Sequence, residues 1–208
     1  MKNNKLTLFG LLLFLGFPFL LQFLHLELMF FETGMWLLLV LILLWIYLVE
    51  KRTIATIGWK TLTVKTAFSG IGLGLVIFIL FGLLTTVIRA IGLELSQETA
   101  ELIASQSIPF LLLMALRAAV IEEVLYRGYA FERLYQLTKS KWLAAFVPVI
   151  IFTLMHVSWG VGHLVFVFIA GAIFMLVYIS KRHLGLIMIA HFITDVIALL
   201  VLPILLEA

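Results

Sequence analysis

Long apolar runs separated by short polar breaks make up most of this chain. Seven such runs occur, at residues 6–24, 34–49, 67–91, 108–134, 142–157, 164–180 and 184–206. At a rise of 1.5 Å per residue, about 20 apolar residues cross the ~30 Å hydrocarbon core of a bilayer. The pattern therefore predicts an all-α polytopic membrane protein, folded as a single bundle of about seven transmembrane helices.

The most polar stretch separates the third run from the fourth. Residues 94–107 contain three glutamates and no lysine or arginine. Ser96 followed by Glu98 is typical of a helix start, because a serine side chain caps a helix and an acid there suits its dipole. We expect a short surface helix here. It divides one compact membrane domain into an N-terminal part, 1–106, with three spans and this surface segment, and a four-helix part, 107–208.

The composition excludes a soluble protein. Of the 208 residues, 64% are hydrophobic and only 12% are charged, and the mean hydropathy is +1.24. No soluble domain of this size could hide so much apolar surface. The chain has no cysteine, which excludes disulfides, thiolate catalysis and a cysteine zinc site. A net charge of +3 fits loops that face anionic lipid, and without a basic stripe no nucleic-acid partner is expected.

The charges also predict an orientation. If the N-terminus is cytoplasmic, the inner loops hold nine basic residues: Lys51, Arg52, Lys60, Lys65, Arg133, Lys139, Lys141, Lys181 and Arg182. The outer loops then hold a single basic residue, Arg89. Such an excess of lysine and arginine marks cytoplasmic loops. We therefore expect an integral, multi-pass membrane protein with a cytoplasmic N-terminus and membrane lipid as a partner. A bacterial or archaeal plasma membrane is its expected location.

Two adjacent glutamates and an arginine interrupt the fourth apolar run. Glu122, Glu123 and Arg127 each cost at least ~2.5–3.5 kcal/mol at mid-bilayer if ionised, so such groups usually mark function. On an α-helix Glu123 and Arg127 are four apart and form a favourable pair. Glu122 points about 100° away from Glu123 and is expected to face a cavity. The alternative is a purely structural salt-bridge cluster that locks helices together.

Histidines on two other runs complete a candidate site. His156 lies near the end of the fifth run, and His191 and Asp195 share a face of the seventh because they are four apart. Such a pair serves as metal ligands or as an imidazole oriented by a carboxylate. The alternatives are a hydrogen-bonded core histidine and a polar clasp between helices. His25, His163 and His183 are interpreted as loop residues, with His163 in the turn at 160–162.

Three motifs resemble those of a known family. Glu-Glu-x-x-x-Arg at 122–127, Phe-x-x-x-His at 152–156 and His-x-x-x-Asp at 191–195 occur in order on separate helices. Over residues 107–206 the chain is similar to the CAAX-processing and bacteriocin-processing intramembrane endopeptidases, the CPBP or Abi family. The resemblance implies that 107–208 is a catalytic core. It would hydrolyse a peptide bond in a membrane-associated peptide or protein tail.

The resemblance also implies roles for the motif residues. Glu122 would activate water as the general base, His156 would hold that water, and His191 with Asp195 would stabilise the oxyanion. Glu123, Arg127 and Phe152 would support them.

The cofactor is left open by the residues. The residues are compatible with two mechanisms. One uses a Zn²⁺ ion held by His156, His191 and Asp195, and the other is a metal-free glutamate mechanism. The prenyl-protein branch commonly has asparagine at position 195. Asp195 cannot donate a hydrogen bond unless protonated, which favours metal ligation or histidine orientation.

Depth along the helices sets a condition on this site. With straight spans, Glu122 and His191 lie ~9–10 Å from the inner edge, whereas His156 lies ~21 Å from it. The fifth helix is therefore expected to begin deep in the bilayer or to tilt strongly.

The same sequence features are compatible with two other functions. A membrane scaffold or regulator without protease activity, for example in bacteriocin immunity or signalling, could keep the same fold. A proton-coupled transporter also uses buried carboxylates and histidines, but no internal repeat is visible.

Overall fold

The computed structural model describes residues 2–93 and 97–201, and these residues form helices without any strand. The α-helices are α1 (Lys2–Phe23), α2 (Leu28–Leu44), α3 (Val64–Ala90), α4 (Gln97–Ala104), α5 (Ile108–Arg117), α6 (Phe131–Thr138), α7 (Lys141–Leu154), α8 (Val161–Lys181) and α9 (Leu184–Val196). Each predicted apolar run coincides with helix, which confirms the all-α fold class. The predicted helix start at Ser96 and the end of the seventh run, 202–206, lie outside the described residues.

Several of these helices change pitch rather than end. A π-helical turn, Trp45–Val49, extends α2, and another, Ile197–Val201, extends α9. A longer π-helical stretch, Ala118–Ala130, joins α5 to α6 without a break. Short 3₁₀ turns, Ile54–Ile57 and Val157–Trp159, lie before α3 and before α8.

Within the described ranges, four helices are long and apolar enough to cross a membrane: Asn4–Phe23, Leu28–Val49, Val64–Ala90 and Val161–Lys181. The helices Lys141–Leu154 and Leu184–Leu200 are apolar but shorter. The 14 residues of α7 rise only ~21 Å, which is less than the hydrocarbon thickness of a bilayer. The second helix begins at Leu28, six residues before the predicted start, and this brings Glu32 inside it.

The π-helical stretch Ala118–Ala130 lies at the centre of the molecule. Most of its 13 residues are buried, and it contacts α1, α2, α7 and α9. A helix surrounded by other helices needs apolar side chains on all faces, and the stretch supplies them except at its charged positions. Those charged positions therefore lie in the protein interior and not against lipid.

Small residues of α3 bring it close to α9. A Cβ atom at Gly74 would lie 2.7 Å from the carbonyl oxygen of Ala190, and one at Gly70 would lie 2.8 Å from Cβ of Ile189. The hydroxyl of Thr194 donates to the carbonyl oxygen of Gly74 across a distance of 3.1 Å. Such close approach is how membrane helices gain packing energy without a hydrophobic effect. Helix α3 thereby fixes the depth and rotation of α9.

Buried ion pairs connect the loop at 50–63 to α6. Arg133 is fully buried and reaches Glu50 at 2.6 Å, while its guanidinium also donates to the hydroxyl of Thr56 at 3.1 Å. Glu132 forms an ion pair with Arg182. The contacts of Arg133 attach the loop between the second and third helices to α6, and the Glu132–Arg182 pair attaches α6 to the turn between α8 and α9.

Candidate active site

The π-helical pitch brings Arg117 to Glu122. Hydrogen bonds in a π-helix run between residues five apart, so side chains five apart follow one another along the same face. Arg117 and Glu122 have this spacing, and Nη1 of the arginine lies 2.8 Å from Oε1 of the glutamate. On an α-helix five residues correspond to about 500° of rotation, which would place the two side chains on different faces.

A glutamate from α2 shares the same guanidinium. Nε of Arg117 lies 3.1 Å and 3.2 Å from the two carboxylate oxygens of Glu32. The Glu32 side chain is 2% exposed and that of Arg117 is 12% exposed. A cation thus lies between two carboxylates that come from different helices, and Glu32 is 85 positions from Arg117 in sequence.

The second glutamate of the motif is more deeply enclosed. Oε1 of Glu123 accepts a hydrogen bond from Nη1 of Arg127 at 3.0 Å, and both side chains are buried. Nη2 of Arg127 donates to the carbonyl oxygen of Gly171 at 3.3 Å, and the guanidinium carbon lies 5.0 Å from the ring centre of Phe152. The pair predicted from the four-residue spacing is present, and Phe152 supports it by stacking.

His191 lies between two carboxylates. Its Nδ1 is 2.9 Å from Oε1 of Glu123, and its Nε2 is 3.4 Å from Oδ2 of Asp195. Its ring centre is also 4.8 Å from that of Phe174. Glu123 therefore has two partners, Arg127 and His191, and the predicted pairing of His191 with Asp195 on one face of α9 is present.

The cluster has more acids than cations. Its carboxyl groups belong to Glu32, Glu122, Glu123 and Asp195, and its guanidinium groups belong to Arg117 and Arg127. A doubly protonated His191 would reduce this imbalance and would donate from both ring nitrogens.

His156 has a separate set of contacts. It follows the end of α7, and its Nδ1 is 2.9 Å from the carbonyl oxygen of Phe152. Its ring centre lies 5.0 Å from Phe152, 5.5 Å from Trp159 and 5.8 Å from His163. Within the described part of the chain, no hydrogen bond, ion pair or ring contact joins it to Glu122 or His191. The ring of Phe152 contacts both His156 and the guanidinium of Arg127.

The described side chains do not form a zinc site. Among residues 2–93 and 97–201, no three groups of histidine, aspartate or glutamate are arranged to hold a metal ion. His191 and Asp195 lie together, but His156 is not joined to them.

The remaining histidines divide into two kinds. The interpretation of His163 as a turn residue is wrong: it lies in the first turn of α8, with its ring centre 4.5 Å from that of Trp159. His25 and His183 lie between helices, as predicted. His183 caps α9 by accepting a hydrogen bond from the backbone N–H of Leu186 at 3.3 Å. Partial burial lowers the pKa of His183, and the charge of Lys60 lowers it further.

Sequence reasoning missed Glu32 and the role of Arg117. Arg117 is the one charged residue of the apolar stretch 108–121, and no role was predicted for it from the sequence. The signal that could have found it is its five-residue spacing from Glu122, which has meaning only if the helix has π pitch. Glu32 lay outside the predicted second span, so its burial was not expected.

The match to known families covers the motif-bearing part of the chain. Residues 104–197 match the family model described as type II CAAX prenyl endopeptidase Rce1-like. The chain carries an Rce1-like segment. Over this segment the match confirms the resemblance predicted from the three motifs. The Rce1-like segment contains both glutamates, Arg117, His156 and His191, whereas Glu32 precedes it. No curated protein and no solved structure matched the chain.

Proposed function

We propose that this protein is an intramembrane endopeptidase that hydrolyses a peptide bond in a membrane-associated peptide or protein tail. Glu122 is the general base, and the attacking group is water. The Rce1-like segment supports the reaction class, since its family description is that of an endopeptidase. The geometry around the paired glutamates supports the choice of base.

The observation that carries the proposal is the difference between the two glutamates. Glu123 is fully buried and bonded to Arg127 and His191. Glu122 keeps 13% of its side-chain surface exposed, and within residues 2–93 and 97–201 its Oε1 is bonded to Arg117 while its Oε2 has no hydrogen-bond partner. A general base needs a free oxygen within reach of water, and Glu122 has one.

The proposed reaction uses the protein's own side chains. Oε2 of Glu122 takes a proton from water while the water oxygen attacks the scissile carbonyl carbon. When the C–N bond breaks, Glu122 returns that proton to the leaving amine. His191 in its doubly protonated form keeps Nδ1–H on Glu123, and its Nε2–H, which lies 3.4 Å from Oδ2 of Asp195 in the resting site, turns to the oxyanion as that charge forms. This use of a fixed donor at a developing charge is the usual source of acyl-transfer catalysis.

Two further residues have supporting roles in the proposal. Asp195 orients His191, since a carboxylate without a proton cannot donate to an oxyanion. The Nδ1 of His156 is bonded to the carbonyl oxygen of Phe152, and its Nε2 has no hydrogen-bond partner among the described residues. We assign that nitrogen to binding the substrate or its water, and we give His156 no proton step.

The reaction is tested with the full chain in liposomes. Three peptides are offered: a lipid-anchored C-terminal tail carrying a prenyl group, the same tail anchored by an acyl chain, and a soluble peptide of the same sequence. We expect new peptide termini, identified by mass spectrometry, from at least one anchored tail and none from the soluble peptide. If the folded protein cleaves none of them, the endopeptidase proposal is wrong. The scaffold or regulator alternative predicts that outcome.

A further inference from the structure

Glu32 is a buried acid on a helix that the family match does not cover. It lies on α2, and the Rce1-like segment begins 72 residues later, at position 104. A buried carboxylate costs free energy unless it is paired, so an acid buried in an apolar helix is expected to have a cationic partner. Its partner is Arg117, which also holds Glu122.

The division of the guanidinium between the two acids is asymmetric. Nε of Arg117 faces both oxygens of Glu32, whereas Nη1 faces a single oxygen of Glu122. A guanidinium free of Glu32 could form a two-point contact with a carboxylate, which is its preferred geometry. Such a contact would occupy both oxygens of Glu122. With Glu32 present, Arg117 binds one oxygen of Glu122 and leaves the other available.

We propose that Glu32, acting through Arg117, is a positioning residue that keeps one carboxylate oxygen of Glu122 free. This inference rests on the proposed function for its catalytic consequence, but not for its structural content. It makes α2, which precedes the Rce1-like segment, a support for the active site. The Glu32 side chain is only 2% exposed, so its effect on Glu122 passes through Arg117.

The matched variants are Glu32→Gln and Glu27→Gln. Both remove an acid from the start of α2, but Glu27 is exposed whereas Glu32 is buried against Arg117. Arg117→Gln provides the opposite change, since it removes the cation from Glu122. Glu32→Asp keeps the charge with a shorter side chain.

The first measurement does not depend on catalysis. The full chain in liposomes is treated with a hydrophobic carbodiimide, and modification of Glu122 is followed by peptide mass spectrometry. We expect Glu32→Gln to slow this modification by about threefold, since Arg117 then covers both oxygens, and Arg117→Gln to speed it by about threefold. Glu27→Gln and Glu32→Asp are expected to stay close to wild type.

The second measurement is turnover of an anchored tail. Glu32→Gln is expected to lower kcat about tenfold while KM changes by less than about twofold, because positioning acts on the chemical step. Glu32→Asp is expected to recover most of the rate.

Opposite signs in the modification assay distinguish positioning from general loosening of the fold. If Glu32→Gln and Arg117→Gln change the modification rate in the same direction, or if Glu32→Gln equals Glu27→Gln, the positioning proposal is wrong. If wild type cleaves nothing, the endopeptidase proposal fails, and the modification rates still decide the role of Glu32. If Glu32→Gln does not fold, the role of Glu32 is decided by comparing the rates of Glu122 modification in Glu32→Asp and in Arg117→Gln.

Discussion

Nδ1 of His191 and Oε1 of Glu123 lie 2.9 Å apart, and this contact joins the central π-helical stretch to α9. The same oxygen accepts from Arg127 at 3.0 Å. Glu123 therefore neutralises a buried cation and also orients the imidazole that the proposed mechanism requires. Its side chain connects the stability of the core to the geometry of the site.

Glu123→Gln is expected to destabilise the folded protein strongly. Removing one partner of a buried ion pair leaves the other charge uncompensated, which costs about 3–5 kcal/mol. Arg127 would be that uncompensated charge, since it is buried and has no other carboxylate partner in the described part of the chain. The free energy of unfolding in detergent measures the effect, with Glu27→Gln as the exposed control. Equal unfolding free energies for the two variants would contradict this account.

Gly74→Val is expected to displace α9 and thereby reduce cleavage. The added side chain would meet the Ala190 carbonyl oxygen at 2.7 Å, and a backbone atom cannot move away without moving the helix. A shift of about 1 Å at a catalytic group can cost roughly a hundredfold in rate. Cleavage of an anchored tail and the unfolding temperature are measured together.

Gly72→Val is the matched control for that variant. Gly72 lies on the same helix and is exposed, and a Cβ atom added there would meet no other atom within 4 Å. Gly72→Val changes the helix propensity of α3 as Gly74→Val does, but its side chain does not clash with α9. If both valine variants cleave at the same rate, α3 does not position α9 as described.

Arg127→Lys is expected to destabilise the protein although it keeps the charge. Lysine would keep the ion pair with Glu123 but could not donate to Gly171 and stack on Phe152 at the same time. The planar guanidinium makes all three contacts at once, so the substitution is not conservative. We expect the free energy of unfolding to fall by about 1–3 kcal/mol. Arg89→Lys, at an exposed position of α3, is the control for the type of substitution. An unfolding free energy that changes no more than in Arg89→Lys would refute the stacking argument.

The cap of α9 is expected to weaken in acid. Because the folded state lowers the pKa of His183, the unfolded chain binds the proton more readily as the pH falls below about 6.5. The contribution of His183 to stability is therefore complete above that pH and is lost below it. His183→Asn keeps a capping side chain that does not titrate. Between pH 7 and pH 5 the unfolding temperature of wild type should fall more steeply than that of His183→Asn, and parallel curves would count against the cap.

Much of the fold could be predicted because a bilayer constrains sequence strongly. The apolar runs located the helices, and four-residue spacing located the Glu123–Arg127 and His191–Asp195 pairs. The π pitch of 118–130 was not predicted, because periodicity was interpreted with 3.6 residues per turn. That assumption concealed the contact between Arg117 and Glu122.

Other misses have a different physical origin. Glu32 pairs with a residue 85 positions away, and no local pattern predicts such a long-range contact. His156 was placed with the other motif residues because the family motifs suggested it, whereas its contacts are with Phe152, Trp159 and His163.

The central claim, that Glu122 is the base of an endopeptidase, is tested most directly by Glu122→Gln. Glutamine keeps the size of the side chain and can accept from Arg117, but it cannot take a proton from water. Cleavage of an anchored tail by the full chain in liposomes is followed by mass spectrometry, with the unfolding temperature as the control for folding. The account predicts at least about a thousandfold loss of cleavage with the fold retained. Cleavage by the folded variant at the wild-type rate would contradict it.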